Sequence, residues 1–145
     1  MTEKIRIESL DHLVLTVRDI SRTSSFYRQV LGMQEISFGG DRKALKFGNH
    51  KINLHEYGKE IEPKAEHPTP GSADLCFITP TPIEEVEKHI RTCGINVVEG
   101  PVRRTGAKGT ILSIYLRDPD GNLIELSNHI ESKKEKQKGL TIGST

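Results

Sequence analysis

The chain has no tryptophan, and only 5% of its residues are aromatic. This scarcity counts against a pocket built to stack flat drug-like rings. There are two cysteines, Cys76 and Cys93, too few for a disulfide framework and not arranged as CxxC. Reduced thiols in a cytoplasmic compartment are the simplest expectation. An excess of one charge is also missing. Twenty-one basic residues stand against twenty acidic ones, for a net charge of +1. Nucleic acid is therefore not expected as a partner, because phosphate-backbone binding needs a basic surplus. No apolar run approaches the ~20 residues that a bilayer helix requires, so no membrane partner is expected. The opening MTEKIRIE carries acids and no apolar stretch, so no secretory leader is expected. Finally, there is no P-loop, no GxGxxG after a strand, no GxSxG and no HExxH.

With 34% hydrophobic and 28% charged residues, the 145-residue chain has the balance of a folded globular domain. LDHLVLTV, residues 10–17, alternates with period two and reads as a strand, with Leu13, Leu15 and Val17 on one face and His12, Val14 and Thr16 on the other. Asp19 or Ser21 can cap a helix that runs to Leu31, where Gly32 stops it. Three short strands follow, around Gln34–Phe38, Lys43–Phe47 and Lys51–Tyr57, separated by Gly39-Gly40 and Gly48-Asn49. Residues 58–71 hold three prolines and many charges and read as a linker.

The same order then begins again. Ala73–Thr79 reads as a strand. Pro82 opens a helix with Ile83, Val86, Ile90 and Cys93 on one face and Gly94 as its stop. Strands follow near Asn96–Glu99, Thr110–Arg117 and Asn122–Asn128. His12 to Asp74 and Gly32 to Gly94 are both intervals of 62 residues, which indicates an internal duplication. A longer loop near Arg103–Gly109 offsets the last strand to 72, so Asn53 matches Glu125 and His55 matches Ser127. The expected fold class is α+β: two tandem βαβββ modules forming a cup-shaped mixed sheet with helices outside. Module one would span 8–57, the linker 58–71 and module two 72–128, as one domain over 8–128. The tail, 129–145, lacks periodicity and reads as solvated chain without regular structure.

Residues of opposite parity to the helix-facing ones would line the cup. These include His12, Asn53 and His55 in module one, and Asp74, Cys76, Glu125 and Ser127 in module two. Imidazole, amide and carboxylates gathered in a sheet hollow are costly unless paired or metal-bound. Ser113 and Tyr115 share that parity, and Cys76 reads as a small wall of the cup. Asp118-Pro119-Asp120-Gly121 reads as a type I turn rather than a metal loop. The basic stretch with Arg103 and Lys108 is either a hairpin tip or a lid holding an anionic substrate group.

The segments DHLVLTV, SFYRQVLGM, KINLHE and DPDGNLIEL, taken in this order, resemble the vicinal oxygen chelate superfamily, which includes glyoxalase I, epimerases, fosfomycin-resistance proteins and extradiol dioxygenases. The resemblance covers nearly all of 8–128. It implies metal ligands on the first and last strands of each module. His12 and Glu125 match that pattern. Asn53 stands where relatives often have Glu or Gln, and Asp74 where many have His. The implied metal set is His12, Asp74 and Glu125, with Asn53 as a weak oxygen donor and His55 as a substitute nitrogen. Such a set suits Mn²⁺ or Mg²⁺, and with His55 it leans toward Fe, Ni or Zn. The implied activity is isomerase, lyase or epimerase chemistry on a small oxygenated substrate, with Glu125 or Asp74 as ligand and proton shuttle together. Two alternatives stay open: a metal-free protein that sequesters a small molecule, and a ring-cleaving dioxygenase. Relatives commonly dimerise, so a homodimer is expected.

Overall fold

The computed structural model describes residues 4–130. The chain divides into two compact units, Met1–Gly71 and Ser72–Thr145. The first runs β1 (His12–Val17), α1 (Ile20–Gln29), β2 (Gln34–Phe38), β3 (Arg42–Phe47) and β4 (His50–Glu56). The second runs β5 (Asp74–Ile78), α2 (Ile83–Thr92), β6 (Glu99–Gly106), β7 (Gly109–Arg117) and β8 (Leu123–His129). Each is a βαβββ module of the expected α+β class. Each sheet is mixed, in the orders β1-β4-β3-β2 and β5-β8-β7-β6. In both, the first strand runs parallel to the last, and the other pairings are antiparallel.

The duplication extends to register. Val14 lies beside Asn53, and Cys76 beside Glu125. These pairs are related by the offsets of 62 and 72 read from the sequence. Each helix covers one face of its own sheet. In module one the core includes Leu15, Val17, Tyr27, Leu45, Ile52 and Leu54. In module two it includes Ile83, Val86, Ile90, Ile114, Leu116 and Ile124. Burial of such side chains contributes roughly 1.5–3 kcal/mol each, which fixes the face each strand turns inward.

The two helices start differently. Asp19 caps α1 by accepting a hydrogen bond from the Arg22 N–H at 3.0 Å. Pro82 sits at the N-cap of α2 rather than inside its first turn, and offers no side-chain cap. Asn128 on β8 supplies the missing acceptor, taking the Ile83 N–H at 2.8 Å and donating to the Thr79 and Thr81 carbonyls. Both helices end on glycines with positive φ, Gly32 at 69° and Gly94 at 78°. Helix α1 ends at Gln29, two residues before the expected Leu31. Cys93 is exposed rather than part of the buried face of α2.

The largest departure from the sequence reading lies in module two. The strand expected near Asn96–Glu99 is β6, over Glu99–Gly106, so Arg103 and Arg104 belong to a strand and not to a long loop. Gly100 allows this. At φ 113° it packs so closely on β7 that a Cβ would lie 2.5 Å from the Ser113 carbonyl oxygen. The register shifts between Glu99 and Val102, as at a β-bulge, and this irregularity hid the strand's alternation. Strand β8 extends through His129, one residue beyond the expected end of module two. The rest of the expected tail, 131–145, lies outside the described residues. Among the described residues, no helix is long and apolar enough to cross a membrane.

Asn128→Ala removes three hydrogen bonds that tie the start of α2 and the β5–α2 connection to β8. We predict a loss of about 1–3 kcal/mol in urea unfolding, with the strand content by circular dichroism unchanged.

Candidate functional site

The face of each sheet opposite its helix carries the polar residues. In module two, the pairings place Cys76, Glu125 and Tyr115 side by side on three adjacent strands, with Ser113 and Ser127 one step along. Ser113 Oγ lies 2.6 Å from both Glu125 Oε2 and Ser127 Oγ, and it donates to the carboxylate. Cys76 Sγ lies 3.3 Å from Ser127 Oγ. Cys76, Tyr115 and Glu125 floor a cavity of about 580 Å³, whose wall includes Ile78, Arg104, Lys108, Ile111 and His129, with Ser113 and Ser127 buried behind them. The volume falls in the range typical of small-molecule pockets.

Burial pushes the Cys76 thiol up. Its Ser127 contact opposes this, while the charges of Glu125 and Asp74 reinforce it. The group is therefore a protonated thiol near neutral pH and a poor nucleophile. Burial also raises the Tyr115 phenol, against the hydrogen bond from Arg104 and with the charge of Glu125. Arg104 donates from Nε to the Tyr115 hydroxyl at 2.9 Å and from an Nη to Glu99 Oε2 at 3.0 Å. Its own pKa is raised by these same bonds, the one to Tyr115 first.

In module one, Val14 and Thr16 share the open face with Asn53 and His55. Asn53 and His55 are more than nine-tenths buried. Among the described residues, Asn53 Oδ1 and His55 Nε2 find no hydrogen-bond partner. Burial, and then the charge of Arg42, lower the His55 pKa, while Glu60 opposes them. A second cavity of about 240 Å³ lies between Val14, Thr16 and His55 below and Pro63, Lys64, Ala65 and Pro68 above. The segment expected only to link the modules therefore also roofs this hollow. His12 is more exposed, and its Nδ1 lies 2.8 Å from Asp11 Oδ1. That hydrogen bond to His12 is the main influence holding the Asp11 carboxyl below its usual range.

Module two therefore brings together Cys76, Ser113, Tyr115, Ser127 and Glu125, and Lys108 joins the wall of the same cavity. Arg103 does not join them. It pairs with Leu112, one step out of phase, and is turned to the opposite face, while Arg104 takes the cavity position. Asp74 is exposed beside Leu123, two residues before Cys76. The turn expected at Asp118–Gly121 is present. The Gly121 N–H bonds the Asp118 carbonyl at 3.0 Å, and the Asp118 side chain accepts from Asp120 and Asn122 rather than facing outward as a metal loop. The sequence reading missed Arg104, Glu99 and His129. Counting alternate residues back from the Gly106–Gly109 turn would have identified Arg104, which shares parity with Ile111 and Tyr115.

Within either unit, among the described residues, no three His, Cys, Asp or Glu side chains gather so as to hold a metal ion. His12 and Glu125, one in each unit, nevertheless each carry a donor of the kind that metal ions take, an imidazole nitrogen and a carboxylate oxygen. Asp11 engages Nδ1 of His12, so Nε2 is the ring nitrogen outside that contact. Ser113 steadies one oxygen of Glu125 and leaves the other. Metal-binding imidazoles and carboxylates are characteristically oriented by such outer partners.

Comparison with known proteins agrees with this architecture. Residues 9–126 match the model of the Glyoxalase/Bleomycin resistance protein/Dioxygenase superfamily. Virulence protein STM3117 of Salmonella typhimurium is 62% identical over 124 residues, which is 86% of each chain. Its crystal structure superposes with a TM-score of 0.86 over 87% of this chain and 100% of that one. Glyoxalase domain-containing protein RDO1 of Mycosarcoma maydis is 57% identical over 130 residues, 90% of this chain and 73% of that protein. Metallothiol transferase FosB of Bacillus licheniformis is 29% identical, covering 86% of this chain and 77% of that protein. By family match, identity and shared fold, the chain belongs to the Glyoxalase/Bleomycin resistance protein/Dioxygenase superfamily.

Proposed function

We propose that this protein is a metal-dependent enzyme that removes a proton from carbon next to a carbonyl in a small oxygenated substrate, acting as an isomerase, lyase or epimerase. The observation that carries this reading is Glu125. It is a carboxylate on the wall of a 580 Å³ cavity, with one oxygen fixed by Ser113 at 2.6 Å. A divalent ion of the Mn²⁺, Mg²⁺, Ni²⁺, Zn²⁺ or Fe²⁺ type would take Glu125 as a ligand, with Asp74 of the same unit and His12 of the other as further candidate ligands, and when bound it would stabilise negative charge on the substrate oxygen. Kinship with a protein named metallothiol transferase agrees with metal use.

The residues divide the remaining work. Glu125 accepts the proton, with Ser113 limiting the motion of its carboxylate. Tyr115, kept protonated by burial, holds the substrate oxygen side of the cavity. Cys76 and Ile78 form part of the cavity wall, and Cys76 takes no covalent part. A metal-free sequestering protein is the second reading. It is favoured by the apolar side chains Ile78, Ile111 and Ala107 around the same cavity.

Chelator-treated protein should bind about one Mn²⁺ per chain in a calorimetric titration. Glu125→Gln and His12→Ala should abolish that binding, and Asp11→Ala should weaken it roughly 10- to 100-fold. No binding heat with any of the five ions would leave the sequestering protein as the better reading. Cys76→Ser should retain metal binding. At pH 7.5 Cys76 should react with iodoacetamide more slowly than free cysteine does, because its raised pKa leaves less thiolate. Mass spectrometry of the labelled peptide measures this rate.

A further inference from the structure

The geometry points to a carboxylate as the group that the module-two cavity recognises, with Arg104 as its anchor; this names a substrate class and rests on the cavity assigned above. A guanidinium carries five N–H donors. Three of Arg104's are engaged: Nε with the Tyr115 hydroxyl at 2.9 Å, one Nη with Glu99 at 3.0 Å, and the other with the Arg103 carbonyl at 3.1 Å. Among the described residues, one N–H is left on each terminal nitrogen. A carboxylate presents two oxygens in one plane and can take both, as in a bidentate pair.

The three existing bonds also hold the guanidinium in place, with its central carbon 5.5 Å from the Tyr115 ring centroid. Little further side-chain entropy is then lost on binding. Lys108, at the turn of the same hairpin, adds a second cation to the wall. Ile78, Ile111 and Ala107 supply apolar surface nearby. A small organic acid with a short apolar chain meets both requirements, whereas a neutral amide of the same shape would set an N–H donor against the N–H donors of Arg104.

The test uses the full chain, chelator-treated and Mn²⁺-loaded, titrated with butyrate and in parallel with butyramide, with binding followed by saturation-transfer NMR. Butyrate should bind saturably and butyramide at least tenfold more weakly. Arg104→Gln should weaken butyrate at least tenfold and remove the preference, and Arg104→Lys, which keeps the charge and loses the fork, should fall between. The side chain is 41% exposed, so these variants should fold, and far-ultraviolet circular dichroism checks it. Absence of saturable butyrate binding, equal binding of the two probes, or unchanged butyrate affinity in Arg104→Gln would each overturn the inference. Mn²⁺ titration of the same proteins separates the two ideas. Arg104-dependent butyrate binding without Mn²⁺ binding would uphold this inference and remove the metal reading. Mn²⁺ binding with no effect of Arg104→Gln on butyrate would do the reverse.

Discussion

The parallel pairing of first and last strand within each module fixes everything that follows. A parallel pair cannot be closed by a tight turn, so the chain must travel through a helix and two further strands before it returns. That detour supplies the helix that covers one face, and it leaves the other face to polar residues. Because side chains alternate with period two, one register sets every occupant of both faces. The second module repeats the register of the first, so Cys76 and Glu125 stand where Val14 and Asn53 stand.

The two open faces have diverged within this shared frame. In module one the residues of 58–71 fold back, and Pro63 to Pro68 roof the hollow beside Thr16 and His55. In module two the β6–β7 hairpin forms the wall instead, through Arg104 to Lys108. The amide at position 53 is buried with its oxygen unpartnered among the described residues, while the carboxylate at 125 is held by a serine. A duplicated scaffold thus supports two different chemical surfaces, and function is argued from the residues of the site rather than from the scaffold.

Much of this was legible from residue order alone. The 62-residue interval and the alternation of LDHLVLTV give the modules, their helices and the facing of Glu125, Ser127 and Tyr115. Strand β6 was not legible. The bulge between Glu99 and Val102 breaks the alternation, and the glycines at 100, 106 and 109 imitate a flexible loop. That error displaced the cavity arginine by one position, from Arg104 to Arg103. The cap given by Asn128 to α2 was also hidden, because its partners lie 45 to 49 residues away. Proline and charge marked 58–71 as surface chain correctly, yet composition cannot reveal which surface a loop covers.

The account stands or falls on whether Glu125 serves a divalent ion. Elemental analysis of protein purified without chelators tests this most directly. The account predicts close to one equivalent of a divalent transition metal or magnesium per chain, remaining after exhaustive dialysis. Protein that retains none and still binds its small-molecule ligand would contradict it.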